Sequence, residues 1–298
     1  MTTPFADRLI EGVRAKNTPL CVGLDPFPDK IPALFGNAKE DTSTVLKFGT
    51  AIIDIAREHA CVLKPQLGLF EQFGEMGYAV ARMLCSYAQQ EGMLVLLDAK
   101  RGDIGTTAEG YSRATIGATP GFNADAVTVN PYMGKDTLEP FIARAQAEGK
   151  GVAVLVRTSN PGAGDFQDLQ VGGAPVWQRV AEILAPECSR LRGVSGWSGL
   201  MAVAGATYPD EARILREAMP EALFLVPGYG AQGASAADAV AGFVQAGGKM
   251  REGGVVSSSR AVLYPPAAQS ATTIAAWRAA IGDAMAAAAS ELRAACTP

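Results

Sequence analysis

Eight short apolar runs, separated by longer stretches with a helical period, constrain the fold of this chain more than any other feature. The runs span residues 20–24, 62–67, 94–97, 126–129, 152–156, 200–204, 223–226 and 254–257. Near-continuous apolar runs of this length suit strands buried on both faces of a parallel sheet. After the first run, Val45, Phe48, Ile52, Ile55 and Ala56 recur at helical spacing behind Asp41-Thr42-Ser43, which carries N-cap chemistry. After the second, Phe73, Met76, Val80, Met83, Leu84 and Tyr87 do the same. Pro209-Asp210-Glu211 opens a further helix with acids in its first turn. Eight β-then-α units predict an α/β chain folded as a (β/α)8 TIM barrel, with a doubly wound open sheet as the alternative. The 298 residues fit one barrel, and no shift in composition divides them. Residues 1–298 therefore read as one domain with an N-terminal extension and an Ala-rich C-terminal helix over 281–296.

Composition excludes several function classes. The net charge of −4 argues against sequence-independent binding of nucleic acid, although a local basic pocket for one phosphate stays open. The five cysteines are odd in number, and the two closest, Cys61 and Cys85, lie 24 apart. That spacing fits neither a metal knuckle nor a disulfide framework and points to buried thiols in a reducing compartment. The single histidine, His59, rules out a multi-histidine zinc site and suits a helix C-terminus. The N-terminus has no apolar signal core, and no run approaches the roughly 18 apolar residues of a membrane span. A cytoplasmic chain with no membrane partner is expected.

In a barrel of this kind the chemistry sits where strands end and βα loops begin. The second run contains Lys64, and the third ends in Asp98-Ala99-Lys100-Arg101-Gly102-Asp103. Asp98 and Lys100 are two apart, so a regular strand points both to one face. With Lys64 and Asp103, four charges of alternating sign would meet in one mouth. They form either a salt-bridge cluster or a working array. At about 4 Å and an effective dielectric near 20, each opposite pair gains roughly 4 kcal/mol before desolvation. Such an array can hold an ammonium ready to donate a proton. The seventh loop, Pro227-Gly228-Tyr229-Gly230-Ala231-Gln232-Gly233, lets backbone approach an anion, and Arg260 ends the next strand. Loops seven and eight are the usual phosphate site of such barrels.

The ordered set of Gly23-Leu24-Asp25-Pro26, Leu63-Lys64-Pro65, the D-x-K-x-x-D of 98–103, Thr158-Ser159-Asn160-Pro161-Gly162, the seventh loop and Ser259-Arg260 resembles the orotidine 5′-monophosphate decarboxylases, in particular their longer bacterial subgroup. The resemblance implies cofactor-free and metal-free decarboxylation of orotidine 5′-monophosphate to UMP and CO2, the last step of de novo pyrimidine biosynthesis. It implies that Lys100 protonates C6 of the pyrimidine and that Asp98 faces the departing carboxylate. Lys64 and Asp103 complete the array. It further implies a homodimer in which Asp103 and Thr107 complete the partner's site. Asp25 would bind the ribose, Ser159 the pyrimidine edge, and Gln232, Arg260 and Tyr229 the phosphate. Tyr229 departs from other branches of the family. The polar segment 162–175 reads as a lid over the pyrimidine or as a disordered insertion. Two rivals remain. A metal-dependent sugar-phosphate enzyme on the same barrel would need a Glu where Lys64 stands. A non-catalytic phosphate sensor would not need both lysines and both aspartates.

Overall fold

The computed structural model describes residues 3–230 and 232–297. Eight strands close a barrel: β1 (Leu20–Leu24), β2 (Val62–Pro65), β3 (Leu94–Arg101), β4 (Ala126–Val129), β5 (Gly151–Arg157), β6 (Ser198–Ala204), β7 (Ala222–Val226) and β8 (Gly254–Ser258). Every neighbouring pair is parallel, and the barrel shuts where β1 meets β8, with Leu20 beside Val256 and Cys21 beside Ser257. The open-sheet alternative is thereby excluded. β1, β2, β4, β6, β7 and β8 are buried at every residue, as strands covered on both faces must be.

The main helices are α1 (Phe5–Lys16), α2 (Ser43–His59), α3 (Gly74–Gln90), α4 (Gly105–Thr115), α5 (Glu139–Glu148), α6 (Val176–Leu184), α7 (Pro209–Ala218) and α8 (Ile274–Cys296). Four helices differ from the pattern expected of the sequence. α2 is entered through Asp41, whose Oδ1 accepts the Ser43 N–H at 2.8 Å, while Thr42 makes no side-chain cap. On α3 the small residues Gly77, Ala81, Cys85 and Ala88 face inward, and Met76 and Met83 are exposed. A Cβ on Gly77 would sit 2.0 Å from the Phe70 carbonyl, so the close-packed face belongs to the small side chains. Between β7 and β8 the helix is reduced to one turn, Ala236–Ala239, followed by a short hairpin pairing Val244–Gln245 with Arg251–Glu252. α8 starts well before the Ala-rich stretch and buries Trp277, Ile281, Met285 and Leu292. Among the described residues, no helix is long and apolar enough to cross a membrane.

The N-terminal extension closes the bottom of the barrel. A Cβ on Gly151, at the start of β5, would lie 2.4 Å from the Phe5 ring, so that glycine makes room for the plug. Arg8 pairs with buried Asp125 at 2.6 Å, and the same carboxylate accepts the Val95 N–H at the foot of β3. Arg14 forks onto Glu252 at 2.8 and 2.6 Å, and Trp197 Nε1 donates to the same glutamate at 3.1 Å. Asp7 accepts the N–H groups of Val194 and Ser195. Asp125 and Glu252 are thus satisfied by arginines of α1, and Asp7 by the turn before β6, which is the condition for burying charge. Arg14→Ala leaves Glu252 buried without its cation. Because Arg14 itself is partly solvated, the expected loss is at the low end for a broken buried pair, about 3 kcal/mol by denaturant unfolding. A loss indistinguishable from that of the exposed control Arg213→Ala would show that the plug adds nothing.

Candidate active site

At the carboxyl ends of the strands lies a cavity of about 430 Å³, opening on the face opposite α1. Its charged wall is built on the end of β3. The ladder between β3 and β4 runs Leu96 beside Ala126 and Leu97 beside Val127, then jumps to Arg101 beside Val129. Regular alternation is therefore lost, and Lys100 takes a left-handed backbone with φ of 47°. The reasoning that placed Asp98 and Lys100 on one face of a regular strand fails here, although the two side chains still meet. A bulge brings Lys100 Nζ to 2.5 Å from Asp98 Oδ1. The bulge is pinned by Thr128, whose hydroxyl accepts the Lys100 N–H and donates to Asp98 Oδ1, both at 2.9 Å.

Asp98 Oδ2 takes Lys64 Nζ at 2.7 Å and Gln66 Nε2 at 3.0 Å. The carboxylate thus accepts four donors, two of them ammoniums. Side-chain exposure is 8% for Asp98, 7% for Lys64 and 47% for Lys100, so the triad runs from the barrel interior to the open cavity. Burial alone would push the Asp98 carboxyl up; the two lysines and their hydrogen bonds outweigh it and hold it well below the usual carboxylate range. Burial pulls Lys64 down, but the Asp98 and Asp25 carboxylates more than compensate, so its ammonium is held above the usual lysine range. Gln66 and Thr128 were not singled out from the sequence. Their signal was a neutral polar residue inside or directly after an apolar run.

The expected four-charge cluster contains three members in this chain. Asp103 and Thr107 lie beyond β3, at the loop and first turn of α4, and neither lines the cavity. Asp103 Oδ1 accepts the N–H of Ile104, and Thr107 is exposed. Asp25, Ser159, Gln232 and Arg260 all line the cavity, from the ends of β1, β5, β7 and β8. Asp25 Oδ1 is buried there without a hydrogen-bond partner. Gly228 has φ of 100°, and a Cβ on it would crowd Gln232 Oε1 at 2.9 Å and Ser159 Cβ at 3.1 Å. That glycine lets the seventh loop close against the fifth.

Tyr229 also borders the cavity, but its hydroxyl turns away to donate to Glu291 Oε2 of α8 at 2.7 Å. Burial first, and the Glu291 bond second, push its phenol up, so it stays a donor to that carboxylate. The Tyr229 side chain thereby anchors the seventh loop to α8. The 162–175 segment is folded, with a short helix Gly164–Gln167 and a hairpin pairing Gln170–Val171 with Ala174–Pro175. Gln167 exchanges hydrogen bonds with Thr158, and Asp168 pairs at 2.9 Å with Arg157, whose guanidinium is buried at the end of β5. Among the described residues, no cluster of three or more His, Cys, Asp or Glu side chains could hold a metal ion.

Comparison with known proteins places this arrangement. Residues 18–273 match the model of the orotidine 5′-phosphate decarboxylase / HUMPS family. An orotidine 5′-phosphate decarboxylase of Caldicellulosiruptor bescii is 37% identical over 276 residues, covering 87% of this chain and 89% of that protein. That of Deinococcus radiodurans is 40% identical over 269 residues, covering 89% and 90%. The solved structure of Leishmania donovani OMP decarboxylase superposes with a TM-score of 0.76 at 31% identity, covering 98% of each chain. Matched in sequence over most of its length and in the closed barrel that carries the lysine–aspartate wall, the chain belongs to the orotidine 5′-phosphate decarboxylase family.

Proposed function

We propose that the cavity performs the reaction of its family, decarboxylation of orotidine 5′-monophosphate to UMP and CO2, the last step of de novo UMP synthesis. The observation that carries this reading is the Asp98 carboxylate clamped between Lys64 and Lys100 at the cavity wall. The C6 carboxylate of the substrate faces Asp98. The C6–carboxylate bond breaks, its electron pair stays on C6, and CO2 leaves. Lys100, the more exposed ammonium, delivers a proton to C6. The developing carbanion meets a field already in place, which stabilises the transition state more than the bound substrate. Asp25, with its unsatisfied Oδ1, accepts from ribose hydroxyls. Ser159 bonds the pyrimidine edge, and Gln232 and Arg260 hold the phosphate. The 162–175 segment covers the pyrimidine, hinged where Arg157 and Thr158 tie it to β5.

The active unit is a homodimer in which Asp103 and Thr107 complete the partner's site. Two features support this: neither residue lines the cavity of its own chain, and the surface beside them carries exposed Ile104, Tyr132 and Met133. An apolar patch next to unplaced polar residues fits a protein contact. All five cysteines are buried free thiols, which fits a reducing, cytoplasmic compartment. Lys64 also speaks against metal-dependent sugar-phosphate chemistry on the same barrel, since its ammonium stands where a cation would have to sit. The decisive assay is the absorbance change on adding orotidine 5′-monophosphate with EDTA present. Turnover resistant to EDTA supports the decarboxylase, and a requirement for Mg²⁺ would favour the sugar-phosphate reading.

Two substitutions separate binding from chemistry. Arg260→Ala should cost about 2–3 kcal/mol in kcat/KM through the lost charge-assisted phosphate contact. Lys100→Ala should lower the chemical step by further orders of magnitude while UMP, which lacks the C6 carboxylate, still binds. Near-wild-type turnover by Lys100→Ala would remove its role as proton donor. For assembly, Asp103→Asn and Lys100→Ala proteins should each be nearly inactive and regain activity when mixed. Random pairing restores about a quarter of the sites; no recovery despite demonstrated subunit exchange would place Asp103 in its own site. The pH behaviour of Asp98 follows from its depressed value. A carboxyl held low in the folded state contributes stability above the unfolded value of about 4, and this is lost only as pH falls through the folded value. Carboxyl-carbon NMR should therefore show Asp98 still ionised at about pH 4; titration at the ordinary value would contradict the clamp.

A further inference from the structure

We propose that Tyr264 is a positioning residue for Asp25, a role that rests on the reading of Asp25 as the ribose-binding acid. β1 ends at Leu24, where its ladder to β2 stops with Leu24 beside Pro65. Beyond it, Pro26 has no N–H to offer, and the Asp25 carbonyl accepts the Phe27 N–H at 3.0 Å, closing a tight turn over the proline. One side chain braces this turn from outside the backbone. The Tyr264 hydroxyl donates to the Asp25 carbonyl at 2.7 Å and accepts the Phe27 N–H at 3.2 Å, so a single oxygen holds the turn on both sides of Pro26.

That oxygen is itself held firmly. The Tyr264 ring is buried and lies parallel to Phe48 on α2, with centroids 5.9 Å apart and planes 5° from each other. Phe27 packs against it at 6.1 Å, and Lys30 Nζ lies over both rings. Tyr264 also ends the single helical turn that Arg260 begins, its N–H donating to the Arg260 carbonyl at 3.1 Å. The hydroxyl therefore bridges the loops after β1 and β8, the two strands that meet where the barrel closes. One loop carries Asp25 and the other Arg260. With the backbone of residue 25 fixed, the Asp25 carboxylate stays aimed into the cavity with one oxygen unpartnered, although solvation would draw it outward.

Tyr264→Phe keeps the ring and its stacking and removes only this oxygen. UMP affinity measured by calorimetry should fall by about fivefold, the equivalent of one neutral hydrogen bond, with KM rising in step and kcat at saturation changed less than about twofold. The loss must depend on Asp25: in an Asp25→Ala background the same substitution should change UMP affinity less than about twofold. An equal loss in both backgrounds would make Tyr264 a general packing residue and overturn the proposal, as would an unchanged affinity in the wild-type background. If Asp25→Ala alone left UMP affinity intact, the ribose role of Asp25 would fall, and the positioning role with it.

Discussion

A buried carboxylate shared by two ammoniums is the interaction on which the rest of this structure depends. Asp98 is almost wholly removed from water, and an isolated ionised carboxylate there would cost several kcal/mol. It stays charged because every lone pair it presents is answered: Lys100 and Thr128 on one oxygen, Lys64 and Gln66 on the other. The four donors come from three adjacent strand ends, so the clamp exists only when β2, β3 and β4 are in register. Conversely, the clamp disfavours any slip of that register, since a slip would strand a buried charge.

The two ends of the barrel handle charge in different ways. At the foot, α1 brings arginines onto Asp125 and Glu252 and leaves their carboxylates saturated. At the mouth, saturation is withheld in chosen places. Asp25 keeps an empty acceptor, and Lys100 keeps nearly half its surface open. Both ends hold acids removed from water, and among the described residues the mouth alone leaves a carboxylate oxygen of theirs buried and unpartnered, in a cavity that can admit a ligand. The closed foot is what allows this, because a barrel sealed at one end can carry strain and unsatisfied groups at the other.

The barrel was legible in the sequence because its strands are buried on both faces, which turns them into uninterrupted apolar runs. The strand ends match those runs to within about two residues, except that β3 extends past its apolar part to Arg101. Lys64, Asp98 and Lys100 stood out for a related reason: a charge that terminates an apolar run has few places to go but the mouth. Neutral partners gave no such warning, so Gln66 and Thr128 went unseen. The direction of the Tyr229 hydroxyl depends on Glu291, 62 residues further on, and no local pattern encodes that distance. The outward turn of Met76 and Met83 has a different, local origin: the turn at Phe70, seven residues before, approaches Gly77 too closely for any side chain there. The plug formed by α1 was read only as an extension, because a helix that caps a barrel looks like any amphipathic helix until its ionic partners are known.

The left-handed backbone at Lys100 carries a consequence for how this chain can change over evolutionary time. A non-glycine residue at φ of 47° costs on the order of 1 kcal/mol or more, and the structure bears that cost at the lysine whose ammonium opens onto the cavity. Glycine would relieve the strain and leave the fold more comfortable, but it would carry no proton. Stability and chemistry therefore pull in opposite directions at a single codon. Gains elsewhere in the barrel, such as the ionic foot or the close-packed face of α3, are the reserve that lets a strained lysine persist at that position.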